Sequence, residues 1–170
     1  MDDSRPVVVT VGEDGLDGLR PLWLALHRHH RAIGSAPLVA DDAASWAARR
    51  ATYAAMLRDG DGFLLAARQG AAWLGYAAVR LHAGPDDTFP VGAGWAEVWS
   101  LAVDPARRGE GVGTLLLDAV DARLAGLGVT AVAVAAMVEN AGALRLYERR
   151  GFVPREVVLW RFAPETGNDG

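Results

Sequence analysis

The stretch Arg107-Arg108-Gly109-Glu110-Gly111-Val112-Gly113-Thr114 joins a run of strand character to a run of helix character. Alternate glycines let a backbone turn tightly and come close to a ligand. A helix starting there presents free N–H groups and the positive end of its dipole, which favours a phosphate. A plain capped turn has the same composition, so the pattern has to be compared with known phosphate loops. A Walker A loop is excluded because the chain has no lysine. A dinucleotide fingerprint needs Gly-x-Gly-x-x-Gly and an acidic residue closing the next strand. Here the glycines stand at 109, 111 and 113, and the next apolar run leads into Ala135-Ala136-Met137. The remaining pattern is Arg-x-x-Gly-x-Gly, Arg108 to Gly113, preceded by Leu101-Ala102-Val103-Asp104-Pro105.

Other residues could handle protons. Tyr147 follows Asn140, Ala143 and Leu144 at the i, i+3, i+4, i+7 spacing of one helix face. That spacing suits core packing, and it equally suits a phenol aimed at a site. A phenol with a pKa near ~10 is protonated at neutral pH, as a general acid must be. Glu97 interrupts an apolar strand, and period two places it with Trp99, Leu101 and Val103. A carboxylate there is costly to bury unless it is paired or functional. His27, His29 and His30 cluster on one predicted helix, with His30 on its apolar stripe and His29 off it. No His or carboxylate set has metal-ligand spacing, so no metal is expected. Asp41, Asp42, Asp86 and Asp87 read as loop or capping carboxylates.

The elements that must position these residues follow from local patterns. Arg5 to Val11 is a β-branched strand. A helix with Leu19, Trp23, Leu26, His30 and Ile33 on one stripe starts near Asp17, because Pro21 is tolerated only in a first turn. Gly34 to Pro37 ends it. Asp41 or Asp42 caps a second helix that runs to Asp59 and closes at Gly60. Phe63 to Arg68 and Ala72 to His82 form a hairpin around Gln69-Gly70. A polar loop then leads to a strand from Trp95 to Val103. A helix runs from Gly111 to Leu127, burying Val112, Leu115, Leu116, Ala119, Leu124 and Leu127. Val129 to Val134 is a strand, Asn140 caps a helix from Ala141 to Arg150, and Glu156 to Phe162 is a final strand. The tail from Ala163 is expected to fray.

Composition narrows the class. The 170 residues suit one domain. Without cysteine there is no disulfide framework, thiolate metal site or thiol-linked intermediate. The 17 basic residues are all arginine, which removes Schiff-base chemistry. A net charge of −4 argues against a general nucleic-acid or anionic-membrane surface. The acidic start Met1-Asp2-Asp3 lacks the pattern of a secretory signal, and no apolar stretch is long enough to span a bilayer. A cytoplasmic protein is expected.

Leu101 to Gly113 resembles motif A of the GNAT superfamily of N-acetyltransferases. The likeness continues in Asn140-Ala141-Gly142-Ala143-Leu144-Arg145-Leu146-Tyr147-Glu148-Arg149-Arg150-Gly151-Phe152, similar to that superfamily's Asn-x-x-Ala-x-x-Leu-Tyr-x-x-x-Gly-Phe signature. The strong likeness covers Trp95 to Phe152; the preceding residues follow the family's element order. It implies a single mixed α/β domain over 1–170. Its central sheet would be mostly antiparallel, flanked by helices, with strands splayed at the cofactor site. It implies acetyl-CoA as co-substrate and no metal. Arg108, Gly109, Gly111, Val112, Gly113 and Thr114 would hold the pyrophosphate. The backbone of Leu101, Ala102 and Val103 would pair with the pantetheine arm, and Asn140 and Tyr147 would contact it from the other side. Tyr147 would protonate the leaving thiolate, and Glu97 matches the general base of the histone-acetyltransferase branch. The expected acceptor is a primary amine on a small molecule, attacked directly in a ternary complex. A peptide or protein acceptor, a homodimer, and a non-catalytic acyl-CoA-binding regulatory module all stay open.

Overall fold

The computed structural model describes residues 5–34 and 37–162; the expected frayed tail lies outside them, as do Ser35 and Ala36 in the expected helix end. Strands β1 (Val7–Val11), β2 (Gly62–Gln69), β3 (Ala72–Ala83) and β4 (Gly94–Val103) form an antiparallel meander. The short β5 (Val132–Val134) joins β4 in parallel, completing the order β1-β2-β3-β4-β5. Alternating strand residues give the sheet two apolar faces. Helices α1 (Arg20–Ile33) and α2 (Asp42–Asp59) cover one, around Leu16, Trp23, Tyr53 and Tyr76. Helix α3 (Val112–Gly126) covers the other, around Phe63, Val79, Val98 and Leu116, and α4 (Ala141–Arg149) adds Tyr147 to that cluster.

Local chemistry accounts for most boundaries. The Asp41 side chain accepts from Ala44 N–H and so caps α2, which closes at Gly60. Pro21 lies in the first turn of α1, but the residues before it, Glu13–Leu19, coil as a 3₁₀ helix instead of extending α1 back to Asp17. Proline's missing N–H is harmless at that junction. Ser45 accepts from the Trp23 indole N–H at 3.1 Å, which ties α2 to α1.

Three expectations are corrected. Helix α3 buries Val112, Leu116, Leu117, Val120 and Leu124, whereas Leu127 is 53% exposed. The helix is apolar over most of its circumference, so its periodicity could not select the buried stripe. The strand expected from Val129 is reduced to Val132–Val134. The strand expected over Glu156 to Phe162 is absent: those residues pair with no strand, and Leu159 and Trp160 are exposed. β-branched and aromatic residues favour a strand only where an edge pairs with them. Among the described residues, no helix is long and apolar enough to cross a membrane.

Candidate active site

The glycine-rich turn follows β4 directly. A short 3₁₀ turn, Pro105–Arg107, is capped by Asp104, whose side chain accepts from Ala106 N–H at 2.9 Å. Gly109 and Gly111 then take φ of +81° and +84°, a left-handed conformation that side chains resist. This double reversal aims the chain into α3 with Gly111 at the N-cap. The first intrahelical bond runs from Leu115 N–H to Gly111 C=O. The N–H groups of Val112, Gly113 and Thr114 therefore have no intrahelical acceptor, which suits an anion. No side chain caps α3. Gly113 serves differently: a Cβ there would stand 3.1 Å from Leu146 Cδ2 of α4, so this glycine lets α3 start close against α4. Arg107 bonds Glu110 and Gln69, which braces the turn, while Arg108 is exposed.

The sheet opens beside this turn. The parallel ladder between β4 and β5 ends at Val98 opposite Val134. Beyond it, the outer edge of β4 from Trp99 to Val103, including Leu101 and Ala102, has no strand beside it among the described residues. That edge can accept an extended chain as an added strand would. The splay expected at the cofactor site is present.

Tyr147 and Asn140 reach the same region from α4. The Tyr147 side chain is buried in the α3-side cluster, edge-on to Phe152 at 5.6 Å. Its hydroxyl has no protein partner among the described residues yet keeps contact with solvent. Burial pushes the phenol up to about 12. Asn140 caps α4, its Oδ1 accepting from Ala143 N–H at 3.2 Å, which leaves its amide N–H groups to donate elsewhere.

Glu97 shares a face with Trp99, as period two assigned, but not with Leu101 and Val103. Val79 pairs with Val98 and Ala78 with Ser100, so Trp99 is an extra residue in β4. This β-bulge inverts the alternation. Glu97 and Trp99 lie on the α1/α2 side, while Leu101 and Val103 pack on the α3 side. The Glu97 carboxylate accepts from His82 Nε2 at 3.2 Å, and His82 stacks on Trp95 at 4.0 Å. Glu97 is paired and partly exposed.

An open cleft of about 380 Å³ lies on that same α1/α2 face, between the two helices and Trp99. Its floor is rigid: Tyr53 OH donates to Ser100 Oγ at 2.8 Å and lies 3.1 Å from Tyr76 OH. His27 Nε2 donates to Val39 C=O at 2.7 Å, which fixes its tautomer and holds the segment after α1 against the cleft. His30 also lines the cleft, its pKa lowered chiefly by burial and further by His29 and His27. Among the described residues, no group of three His, Asp or Glu side chains converges as metal ligands would.

Tyr147 and the start of α3 lie on one face of β4, and Glu97 and the cleft on the other. The sequence reading missed Arg49, which sits over the Trp23 ring at 4.2 Å, and His82. The hairpin-like register of β3 and β4 brings His82 beside Glu97. Arg49 had no signal beyond helical spacing from Tyr53.

This geometry agrees with what the chain resembles. The model of the acetyltransferase (GNAT) family matches residues 23–152, and the chain belongs to that family. It is 36% identical over 141 residues to a mycothiol acetyltransferase of Geodermatophilus obscurus, a match covering 81% of this chain and 43% of the relative. A mycothiol acetyltransferase of Mycobacteroides abscessus is 46% identical over 59 residues, 35% of this chain and 20% of the relative. The chain thus spans less than half the length of these curated relatives. Among solved structures, a GCN5-related N-acetyltransferase from Ralstonia eutropha superposes with TM-score 0.76 at 21% identity, covering 94% of this chain and all of that one. An aminoglycoside N-acetyltransferase in complex with CoA gives 0.71 at 18% identity, with 94% and 95% coverage. At these identities, the structural likenesses establish the fold.

Proposed function

We propose that the chain transfers acetyl from acetyl-CoA to a primary amine of a small molecule, by direct attack in a ternary complex. The observation that carries this reading is the unpaired outer edge of β4 past Val98, which runs from the end of the β4–β5 ladder to the anion-ready glycine turn after Val103. The relatives named for mycothiol, and the fold likeness to an aminoglycoside enzyme, support a small acceptor.

The donor supplies an activated acetyl group as a thioester. Gly109, Gly111, Val112, Gly113 and Thr114 hold the pyrophosphate through backbone N–H groups, with Arg108 adding charge at the rim. The backbone of Leu101 to Val103 pairs with the extended arm, with the outward N–H groups of Leu101 and Val103 polarising the carbonyl, since Ala102 N–H faces β3. Asn140 donates to the arm from α4. An incoming ammonium must first lose a proton. Glu97, or water leading to it, accepts that proton on the acceptor side, with His82 holding the carboxylate. The free amine attacks the carbonyl carbon, the C–S bond breaks, and Tyr147 gives its proton to the departing sulfur. A phenol raised to about 12 keeps that proton at neutral pH.

The test is a panel of primary amines offered with acetyl-CoA, followed by titration of released thiol. The chain has no cysteine, so every thiol in the assay is CoA. Amine-dependent thiol release with a matching N-acetylated product is expected. Tight acetyl-CoA binding with no release across the panel would instead favour a regulatory module.

A further inference from the structure

The cleft beside Trp99 has an unusual charge arrangement. The Arg49 guanidinium lies 4.2 Å from the Trp23 ring centroid, 5.3 Å from that of Trp99 and 5.5 Å from that of Tyr53. Such stacking desolvates the faces of the guanidinium, and its edge turns one donor to the Tyr53 hydroxyl while the others stay available to a ligand. Among the described residues, no carboxylate pairs with Arg49, and no Asp or Glu lines the cleft. Several carboxylates around α1 and α2 are engaged elsewhere, while Asp59 and Asp61 line the adjacent pocket with Arg80 and Trp99. Asp42 pairs with Arg28 and Arg31, Asp17 with Arg50, and Asp41 caps α2. A second guanidinium, that of Arg80, lies 5.3 Å from the same Trp99 ring.

We infer that Arg49 is a specificity residue for an anionic group, and that the acceptor is a primary amine that also carries a carboxylate on an apolar body. This rests on the proposed acetyl transfer, since it identifies the acceptor of that same cleft. An ammonium entering the cleft meets the Arg49 guanidinium and aromatic rings, and the proposed base on that face, Glu97, is held by His82 outside the cleft lining. A polycation such as an aminoglycoside would be repelled. A carboxylate gains the planar, two-pronged donor set of Arg49 in a partly desolvated setting, where charge-assisted bonds are strongest. Trp23 and Trp99 flank the apolar remainder, and the amine is left free to point toward the gap beyond Val98.

Binding can be read without chemistry, because Trp23 and Trp99 report on the cleft by fluorescence. The probes are 3-phenylpropionate and its carboxamide, titrated onto the protein saturated with CoA. The carboxylate is expected to bind about 10- to 100-fold more tightly than the amide, the worth of a charge-assisted bond. Arg49→Gln should erase that preference, and Arg49→Met should do the same while keeping the stacked stem. Equal binding of the two probes by the unaltered protein overturns the inference, and so does a preference that survives in a folded Arg49 variant. The wild-type comparison decides alone should both variants fail to fold. In parallel, thiol release is measured with L-phenylalanine and L-phenylalaninamide, two amines that differ in the carboxylate. Turnover that favours the amide sinks the anionic acceptor and keeps the acetyltransferase. A carboxylate preference in binding, with no amine turned over, keeps the cleft's selectivity and sinks the transfer reaction.

Discussion

In the proposed reaction Tyr147 and Glu97 divide the proton work, and each role predicts its own pH dependence. With its phenol at about 12, Tyr147 stays a competent acid well past neutrality. The rate should therefore show no descending limb from this residue up to about pH 10, two units below that value. Tyr147→Phe keeps the ring against Phe152 and should lower kcat by about 10²- to 10⁴-fold, with acetyl-CoA affinity little changed. Full turnover in that variant would leave Tyr147 a packing residue. Glu97→Gln should cost roughly 10²-fold or more in kcat at neutral pH for an amine that is protonated there. Activity should return as pH rises and more acceptor arrives as free base. A pH–rate profile identical to wild type would give the proton to water. The packing of Tyr147 was legible because helical spacing puts it on the inner face of α4. The separation of Glu97 from Leu101 and Val103 was not, because one bulged residue at Trp99 reverses the strand's alternation, and the sequence carries no mark of a bulge.

Elements whose ends are set by local chemistry were read well. Asp41, Gly60 and Asn140 stand where caps belong, and the hairpin turns at Gly70-Ala71, one residue past the expected Gln69-Gly70. Elements that depend on a distant partner were not: β5 shrank, and the segment after α4 found no edge. The glycine turn gives two separable predictions. Gly111→Val forces a branched side chain to φ +84°, costing roughly 1–3 kcal/mol of stability, and should abolish tight acetyl-CoA binding measured by calorimetry. A folded Gly111→Val protein with unchanged affinity would move the pyrophosphate site elsewhere. Asn140→Ala removes a cap, about 1 kcal/mol by thermal or denaturant unfolding, and should also weaken acetyl-CoA binding. Loss of stability alone would confine Asn140 to capping.

At the scale of the whole molecule, the sheet carries a separate core on each face, and its β4 edge is unpaired past Val98. The apolar residues after Phe152 add little to this framework: Trp160 is 77% exposed and Leu159 88%. Trp160→Ser should change unfolding free energy by no more than about 0.5 kcal/mol, as exposed substitutions do. A loss of several kcal/mol would mean that this segment packs against something in solution. The most direct test of the gap beside that β4 edge is backbone hydrogen exchange with and without acetyl-CoA. Protection should rise at Leu101 to Val103 and at Val112 to Thr114, the two rims of the gap. Saturating acetyl-CoA that leaves both rims unchanged, or protects only the cleft under Trp23 and Trp99, would contradict the placement of the donor.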